Sequence, residues 1–561
     1  METTQEKNSP WLKNYPTEVS KTLSYSVFPL YKILDDSARN YPENTALIFY
    51  NRKISYKELE ALSNKFAKAL QDLGFKKGDR AALLLPNSPQ FVIAFYGVLK
   101  AGGIISALNP LYTPAELEMI LADLQPQLMI SLKTFLPKIQ EMKNRNLIPW
   151  LITSDIGDYL PVHLRILMKI KEIFNAELWK INRCRLLEVK KHSLSKLIEK
   201  SGEDYDESEI NPQSDYAVLM YTSGTTGNPK GVPLTHFNLA ANLSQIYEFV
   251  KQSIRPGNEV QLGVLPFFHI YGLNFVLNFS IKEGFSLVLF PRFQTKTVCQ
   301  AISKYKITIL PGVPAIFSAI NRRCEENPGK YDLSSIRFCG SGASACPIAL
   351  IEKVKNLFKK PLIEAYGLTE TSPVTHMNPP SGRQKPGSIG LPLPNTQCLI
   401  VDPATGQELG IGETGVLLIK GPQIFSGYWN NEEASRKAIN PEGWFYTKDM
   451  AIMDEDGYFY IQGRIDDMIN IGGEKVWPPE VEEILKSHPK ITDAAVVGKK
   501  DEHYGQVVKA FVVAKEKISE EEIIEFAKEK LVKYKLPREI EFISQIPKSY
   551  LGKTLYHVLR K

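Results

Sequence analysis

Apolar and polar positions along this chain repeat with two different periods, and the period switches many times. Between Ile54 and Leu73 apolar residues recur every three or four positions, which predicts an amphipathic helix stopped by Gly74. Ala81-Ala-Leu-Leu-Leu is a short continuous apolar run, as a strand covered on both faces requires. A helix over Phe91–Lys100 follows, closed by Ala101-Gly-Gly, and Ile104-Ile-Ser-Ala-Leu reads as the next strand. Upstream, a polar leader gives way at Pro29 to a helical pattern reaching Ala38. Strand-length and helix-length segments in alternation predict βαβ units and a mainly parallel sheet. The alternation resumes beyond residue 215, with Leu287-Val-Leu-Phe and Ile307-Thr-Ile-Leu as buried strands. From about 385 to 463, short runs separated by Gly, Asn and Asp predict a β-rich unit. Past Asp466 the pattern gives a helix over 479–487, strands at 494–497 and 508–514, and a helix over 520–534.

Composition narrows the class without naming a chemistry. Hydrophobic residues are 43% and charged residues 23% of 561, the balance of a globular chain and not of a disordered or collagenous one. At about 150 residues per domain, the length suggests three or four compact units. No apolar run reaches the roughly 18 residues that a membrane helix needs. The first ten residues lack an apolar core, so a soluble, cytoplasmic protein without a secretory signal is expected. The C-terminal Leu-Arg-Lys gives no peroxisomal address. Six cysteines (Cys184, Cys299, Cys324, Cys339, Cys346, Cys398) show no C-x-x-C pair, and eight histidines show no H-x-x-x-H pair. They read as small buried side chains in a reducing compartment, with no zinc site.

The net charge of +6 is concentrated. Residues 160–196 hold nine basic and three acidic side chains, so this stretch carries +6 and the rest sums to zero. Its apolar residues Leu164, Leu167, Ile170, Ile173 and Phe174 have helical spacing. A basic amphipathic helix of this kind is expected to touch an anionic membrane surface, putting the protein peripherally on the inner membrane face; the bland alternative is a solvated helix packed on its own domain. Without a basic excess elsewhere, nucleic acid is not an expected partner. Oligomerisation stays open.

The most telling stretch is Tyr221-Thr-Ser-Gly-Thr-Thr-Gly-Asn-Pro-Lys-Gly-Val232, delivered by the apolar run Ala217-Val-Leu-Met. Gly224, Gly227 and Gly231 allow tight turns that bring N–H groups against an anion. Thr222, Ser223, Thr225 and Thr226 add hydroxyl donors, and Lys230 adds a point charge. The set suits a polyphosphate. It is not a Walker A loop, because Lys230 follows Pro229 where that pattern has glycine. Gly552-Lys553-Thr554 also fails, since Pro547 stands where the first glycine is needed.

Further motifs follow in order: Leu265-Pro-Phe-Phe-His-Ile-Tyr-Gly272, Gly340-Ser-Gly-Ala-Ser344, Glu364-Ala-Tyr-Gly-Leu-Thr-Glu370, Tyr446-Thr-Lys-Asp449, Gly463-Arg-Ile-Asp-Asp467 and Pro547-Lys-Ser-Tyr-Leu-Gly-Lys553. With the loop, they make the chain resemble the adenylate-forming superfamily of acyl-CoA synthetases, luciferases and peptide-synthetase adenylation domains over about residues 10–555. Pro10-Trp-Leu-Lys-Asn-Tyr-Pro16 and Leu85-Pro-Asn-Ser-Pro-Gln-Phe91 resemble the long-chain fatty acyl-CoA synthetases in particular. The resemblance implies an α/β fold: a large N-terminal domain of mainly parallel sheets with a β-rich subdomain, and a small mobile α+β C-terminal domain. The division expected is an ATP- and acyl-binding domain at 1–463, a hinge at 464–467 and a lid at 468–561 carrying the catalytic lysine. ATP, Mg²⁺ and coenzyme A are the implied cofactors.

Residue by residue, the resemblance gives Glu370 to magnesium, which needs a hard oxygen beside the phosphates, with Thr369 as its neighbour in the catalytic loop. Tyr366 offers a flat face to adenine, and the stretches Gly342-Ala343-Ser344 and Glu364-Ala365-Tyr366-Gly367 border the nucleotide. Asp449 is the acceptor for the ribose hydroxyls, since an ionised carboxylate only accepts, and Arg464 is a second ribose or phosphate contact. Lys448 stands where the family has glycine, which changes the local turn or adds a phosphate contact. Lys553 bridges the charge that develops on carboxylate and α-phosphate. The lid then swings near Asp466 to admit the pantetheine of CoA beside Gly473. His269 shapes or gates entry of the carboxylate.

Short-chain relatives place tryptophan where this chain has Gly367, so an open channel is expected, lined by Gly272, Leu273, Phe275 and Val276. Each buried methylene contributes about 0.8 kcal/mol, which favours long chains. The expected activity is ATP-dependent activation of a long-chain fatty acid and its transfer to CoA. The alternatives are an aryl ligase of the coumarate type and a non-catalytic acyl- or nucleotide-binding relative. An acyl-AMP ligase without CoA and a luciferase-like oxygenase have less in their favour.

Overall fold

Two mainly parallel sheets form where the sequence alternates strands with helices. They are seen in the computed structural model, which describes residues 9–167, 190–222, 229–472, 474–501, 503–549 and 552–560. A seven-stranded sheet runs in the order 190–193, 150–154, 128–132, 80–84, 104–107, 216–222 and 230–235, with only its last pair antiparallel. A nine-stranded sheet has a parallel centre of 45–49, 286–289, 260–263, 309–312, 338–341 and 362–367, and antiparallel edges. Their central strands are buried on both faces, which explains why those strands read as unbroken apolar runs. The β-rich stretch is a four-stranded antiparallel meander of 397–401, 415–420, 445–453 and 459–464.

Local signals set most element ends. The helix Tyr56–Asp72 starts where the Ser55 hydroxyl accepts the Glu58 N–H, and Gly74 follows it at φ +91°. The helix Pro89–Lys100 is capped by Ser88 and wholly buried. The helix at Glu520 instead ends at Lys528, before the expected Tyr534: Leu531 turns into the core beside Ile523 and Ala527, and Val532 is extended.

The chain beyond residue 468 builds a separate five-stranded sheet with helices Pro478–Lys486 and Glu520–Lys528 and its own core around Ile469, Val481, Leu485, Val496, Val508 and Ile523. Cys299, Cys339, Cys346 and Cys398 are buried and Cys324 is half-buried, all as free thiols. No helix among the described residues is long and apolar enough to cross a membrane. Residues 162–167 of the basic stretch are helical, with Leu164 half-buried and Leu167 exposed; residues 168–189, with the rest of that stretch's apolar stripe, lie outside the described residues.

Candidate active site

The carboxyl ends of the strands Ile309–Gly312, Phe338–Ser341 and Leu362–Gly367 open onto one cleft, the usual ligand position in open α/β sheets. The second sheet contributes the hairpin Tyr216–Thr222 and Lys230–Thr235, where Thr222 faces Lys230 in register. Ser223, Gly224, Thr225, Thr226 and Gly227 lie outside the described residues, as does Gly473. The segment 425–429 ties the hairpin to the first sheet. The Trp429 N–H donates to Gly231 O at 2.9 Å, and the Phe425 N–H to Glu370 O at 3.0 Å. A Cβ on Gly231 would fall 2.9 Å from the Trp429 side chain, so this packing requires glycine.

Thr369 and Glu370 sit in a short 3₁₀ turn after the strand Leu362–Gly367. The Tyr428 hydroxyl donates to Glu370 Oε1 at 2.9 Å, and Lys230 Nζ lies 5.0 Å from the centre of the Tyr428 ring. One aromatic side chain thus holds the carboxylate and faces the lysine. Tyr428 was not picked out from sequence; its only signal there was an aromatic pair after Gly427 in a turn-rich stretch. Below the turn, buried Asn274 donates to Ser372 O at 2.7 Å, bracing it against the π-helical segment Tyr271–Asn278.

Asp449 and Arg464 are register partners on adjacent strands, with Arg464 Nε 3.0 Å from Asp449 Oδ1. That contact lacks hydrogen-bond alignment, so the buried Nε–H has no hydrogen-bond partner. The Tyr366 hydroxyl donates to Asp449 Oδ2. Burial raises the Asp449 carboxyl pKa, while Arg464 and Tyr366 pull it back down. Glu364 accepts the Gly387 N–H at 2.9 Å, and burial pushes its pKa up to about 7. Gly342, Ala343 and Ala365 close the same wall: Gly342 packs against Ala365 O and the Tyr271 ring, Ala343 takes φ +68°, and half-buried Ser344 follows.

Lys553 arrives on a hairpin from the C-terminal unit, with the Ser549 N–H donating to Lys553 O at 2.7 Å. A Cβ on the preceding Gly552 would lie 4.0 Å from Ala315, at the start of a helix of the large unit. The residue is exposed at the surface, yet its ammonium is close enough to Asp449, Arg464 and Glu370 to feel their charges. Burial lowers the ammonium pKa; Asp449 and Glu370 oppose that shift and Arg464 adds to it. His269 accepts the Tyr271 N–H on Nδ1 at 3.2 Å, which leaves the ring proton on Nε2. Burial, reinforced by Lys553, brings its pKa to about 3, so the ring is neutral. Lys553, His269, Glu370, Asp449 and Arg464 therefore share one site, although they come from parts of the chain nearly 300 residues apart.

One expectation is corrected. Gly367 does not hold a channel open: a Cβ there would fall 1.8 Å from Pro373 O, so glycine is needed for the backbone to double back. A Cβ on Gly272 would likewise fall 2.1 Å from Pro266 O, so this glycine packs against backbone and does not open a cavity. The apolar space beside the site is lined by Tyr271, Phe275, Phe338, Ile363, Val374 and Met377, among others, and amounts to about 10 Å³, room for about one water. Of the expected lining, Phe275 is present and Leu273 and Val276 are not. Lys448, expected to change the local turn or add a phosphate contact, takes φ +66° and pairs its ammonium with Asp466.

Three cationic side chains and an unpartnered buried guanidinium N–H suit a polyphosphate. Among the described residues no three His, Cys, Asp or Glu side chains cluster to cage a metal. A single carboxylate, Glu370, fits magnesium, which keeps water and phosphate oxygens as its other ligands.

Known proteins resemble this chain along most of its length. The AMP-binding enzyme family matches residues 34–429, and the AMP-binding enzyme C-terminal domain matches 480–553. A long-chain-fatty-acid–CoA ligase of Bacillus subtilis (strain 168) is 40% identical over 553 residues, 98% of this chain and 97% of its own. A relative described as "Probable 4-coumarate--CoA ligase 1", from Dictyostelium discoideum, is 38% identical over 88% of this chain and 87% of its own. The structure of O-succinylbenzoate coenzyme A synthetase from Bacillus subtilis, in complex with ATP and magnesium ion, superposes with a TM-score of 0.76 at 28% identity, covering 96% of this chain and 100% of that one.

Proposed function

This chain belongs to the AMP-binding enzyme family, and from that premise we propose that it joins a long-chain fatty acid to coenzyme A at the expense of ATP. Similarity along 98% of the chain to a long-chain-fatty-acid–CoA ligase carries this reading. The carboxylate oxygen attacks the α-phosphorus of ATP as the bond to the β-phosphate oxygen breaks and pyrophosphate leaves. The CoA sulfur, giving up its proton, then attacks the acyl carbonyl carbon, and AMP leaves.

Within that reaction Thr222, Lys230 and the loop between them hold the polyphosphate. Asp449 and Arg464 hold the ribose, and Tyr366 faces adenine. Lys553 places its ammonium over the charge that develops between carboxylate and α-phosphate. Glu370, oriented by Tyr428, would bind magnesium, which supplies charge neutralisation at the phosphates. His269 presents its Nε2–H to the incoming carboxylate. The C-terminal unit turns about 464–467 between the two steps and brings the region of Gly473 toward the pantetheine. The acyl tail enters the layer lined by Tyr271, Phe275, Ile363 and Met377, which must part to admit it because the space there is about 10 Å³.

The test is release of AMP and pyrophosphate with Mg-ATP and CoA, over acids from acetate to oleate plus coumarate. The rate constant kcat/KM is expected to climb about fourfold per methylene and to peak at twelve or more carbons. A maximum at coumarate would make the enzyme an aryl ligase, and silence across the panel would favour a binding protein.

The basic stretch 160–196 is proposed to rest on an anionic bilayer, where a water-insoluble substrate gathers. Its described start is consistent with this, for Val162, Ile166 and Leu167 are 74%, 53% and 54% exposed. Replacing these three with serine should weaken binding to phosphatidylglycerol vesicles about tenfold or more, leaving turnover of a soluble short acid intact. Equal vesicle binding by the variant would remove the membrane from the account.

A further inference from the structure

We infer that Lys448 is a positioning residue, and that its ion pair with Asp466 holds the C-terminal unit in the orientation that keeps Lys553 in the adenylation site. The inference rests on the rotation proposed above. Lys448 takes φ +66°, a left-handed conformation that favours glycine and strains a lysine. A strained residue persists where its side chain has a use, and this one has a single partner of opposite charge. Its Nζ lies 3.1 Å from Asp466 Oδ2 and 3.5 Å from Oδ1.

The two acids that follow Ile465 divide their partners between the two units. Asp466 pairs with Lys448, which the strand Phe445–Met453 anchors in the meander. Asp467 pairs at 2.6 Å with Arg560, at the far end of the C-terminal unit. Arg464 is still in register with Asp449 in the meander and Asp467 is held by the small unit, which puts the pivot at 465–466, ahead of the Asp466 side chain. A torsional change on the N-terminal side of the Asp466 side chain carries that carboxylate away from an ammonium whose backbone does not move, so the pair exists in one orientation and not in the other. Both side chains are substantially exposed, 47% and 33%, so solvent screens the pair and its effect is a bias, not a lock.

The bias is read by measuring the half-reactions separately: ATP–pyrophosphate exchange with fatty acid, and thioester formation from supplied acyl-adenylate and CoA. Lys448→Gly removes the pair and the strain together. It should lower the ratio of exchange to thioester formation about two- to fivefold, and Lys448→Arg should restore it. Raising salt from 0.05 to about 0.5 M should shift the ratio in the same direction in the unmodified enzyme and not in Lys448→Gly. A ratio that is unchanged in Lys448→Gly, with no salt effect, would overturn the clamp. Energy transfer between a fluorophore on each unit tests the premise independently. If the inter-unit distance stays fixed in the unmodified enzyme when CoA replaces pyrophosphate on the adenylate complex, the rotation fails and takes the clamp with it. If the distance changes while the ratios stay equal, only the clamp fails.

Discussion

Lys553→Ala is expected to cut acyl-adenylate formation by about 10²–10³-fold, the cost of removing one donor aimed at developing charge in a water-poor site. Thioester formation from supplied acyl-adenylate should stay within a few-fold of the unmodified enzyme, because in the proposed rotation the lysine leaves the site for that step. The split is measured by ATP–pyrophosphate exchange beside single-turnover thioester formation, and equal losses in both would refute the assigned role. The titration of Lys553 gives the same experiment a pH signature. Its ammonium must be protonated to act, and burial depresses its pKa below the ordinary lysine value. Adenylation should therefore decline as pH rises through that lowered pKa, earlier on the basic side than a free lysine would allow. Loss of Asp449 would remove an opposing carboxylate and bring the decline to still lower pH.

Glu370→Gln should lower adenylation by about 10²-fold and raise the magnesium concentration needed for half-maximal ATP binding. Glutamine keeps an oxygen that can accept the Tyr428 hydroxyl, so this change removes charge while sparing the local hydrogen bond. Tyr428→Phe makes the complementary change, freeing the carboxylate and leaving its charge. It should cost about tenfold or less, since a positioning bond is lost and a ligand is retained. Magnesium titration of ATP binding, followed by calorimetry, separates the two. An unaltered magnesium dependence in Glu370→Gln would take the metal away from this residue.

Much of the architecture was legible because its causes are local. Ser55, Gly74, Ser88 and the continuous apolar run at Ala81 each determine an element within a few residues of themselves, and the elements form there. The C-terminal helix that ended six residues early shows the limit: the helical spacing of Ile523, Ala527 and Leu531 continues past the point where the backbone leaves the helix. At the site, motifs single out Asp449, Glu370 and Lys553, and the structure brings the three together. Tyr428 was missed because its importance lies in touching Glu370 across 58 residues of chain, a contact that no periodicity encodes. Gly367 was misread for a related reason. The absence of a side chain reads in sequence as open space, whereas here the space is filled by the carbonyl of Pro373.

The sequence by itself determined which segments are strands and helices, which residues carry charge into the cleft, and the family to which the chain belongs. Those properties follow from hydrophobic period, capping chemistry and ordered motifs, all of them short-range along the chain. Only the tertiary structure decided which of those charges meet. It set the Asp449–Arg464 pair across two strands, brought the Lys553 ammonium near Glu370 and Asp449, closed the apolar layer at Tyr271 and Phe275, and turned Lys448 toward Asp466. The reason is physical. Electrostatic and packing energies depend on separation in space, and residues hundreds of positions apart acquire a separation only when the sheets have assembled.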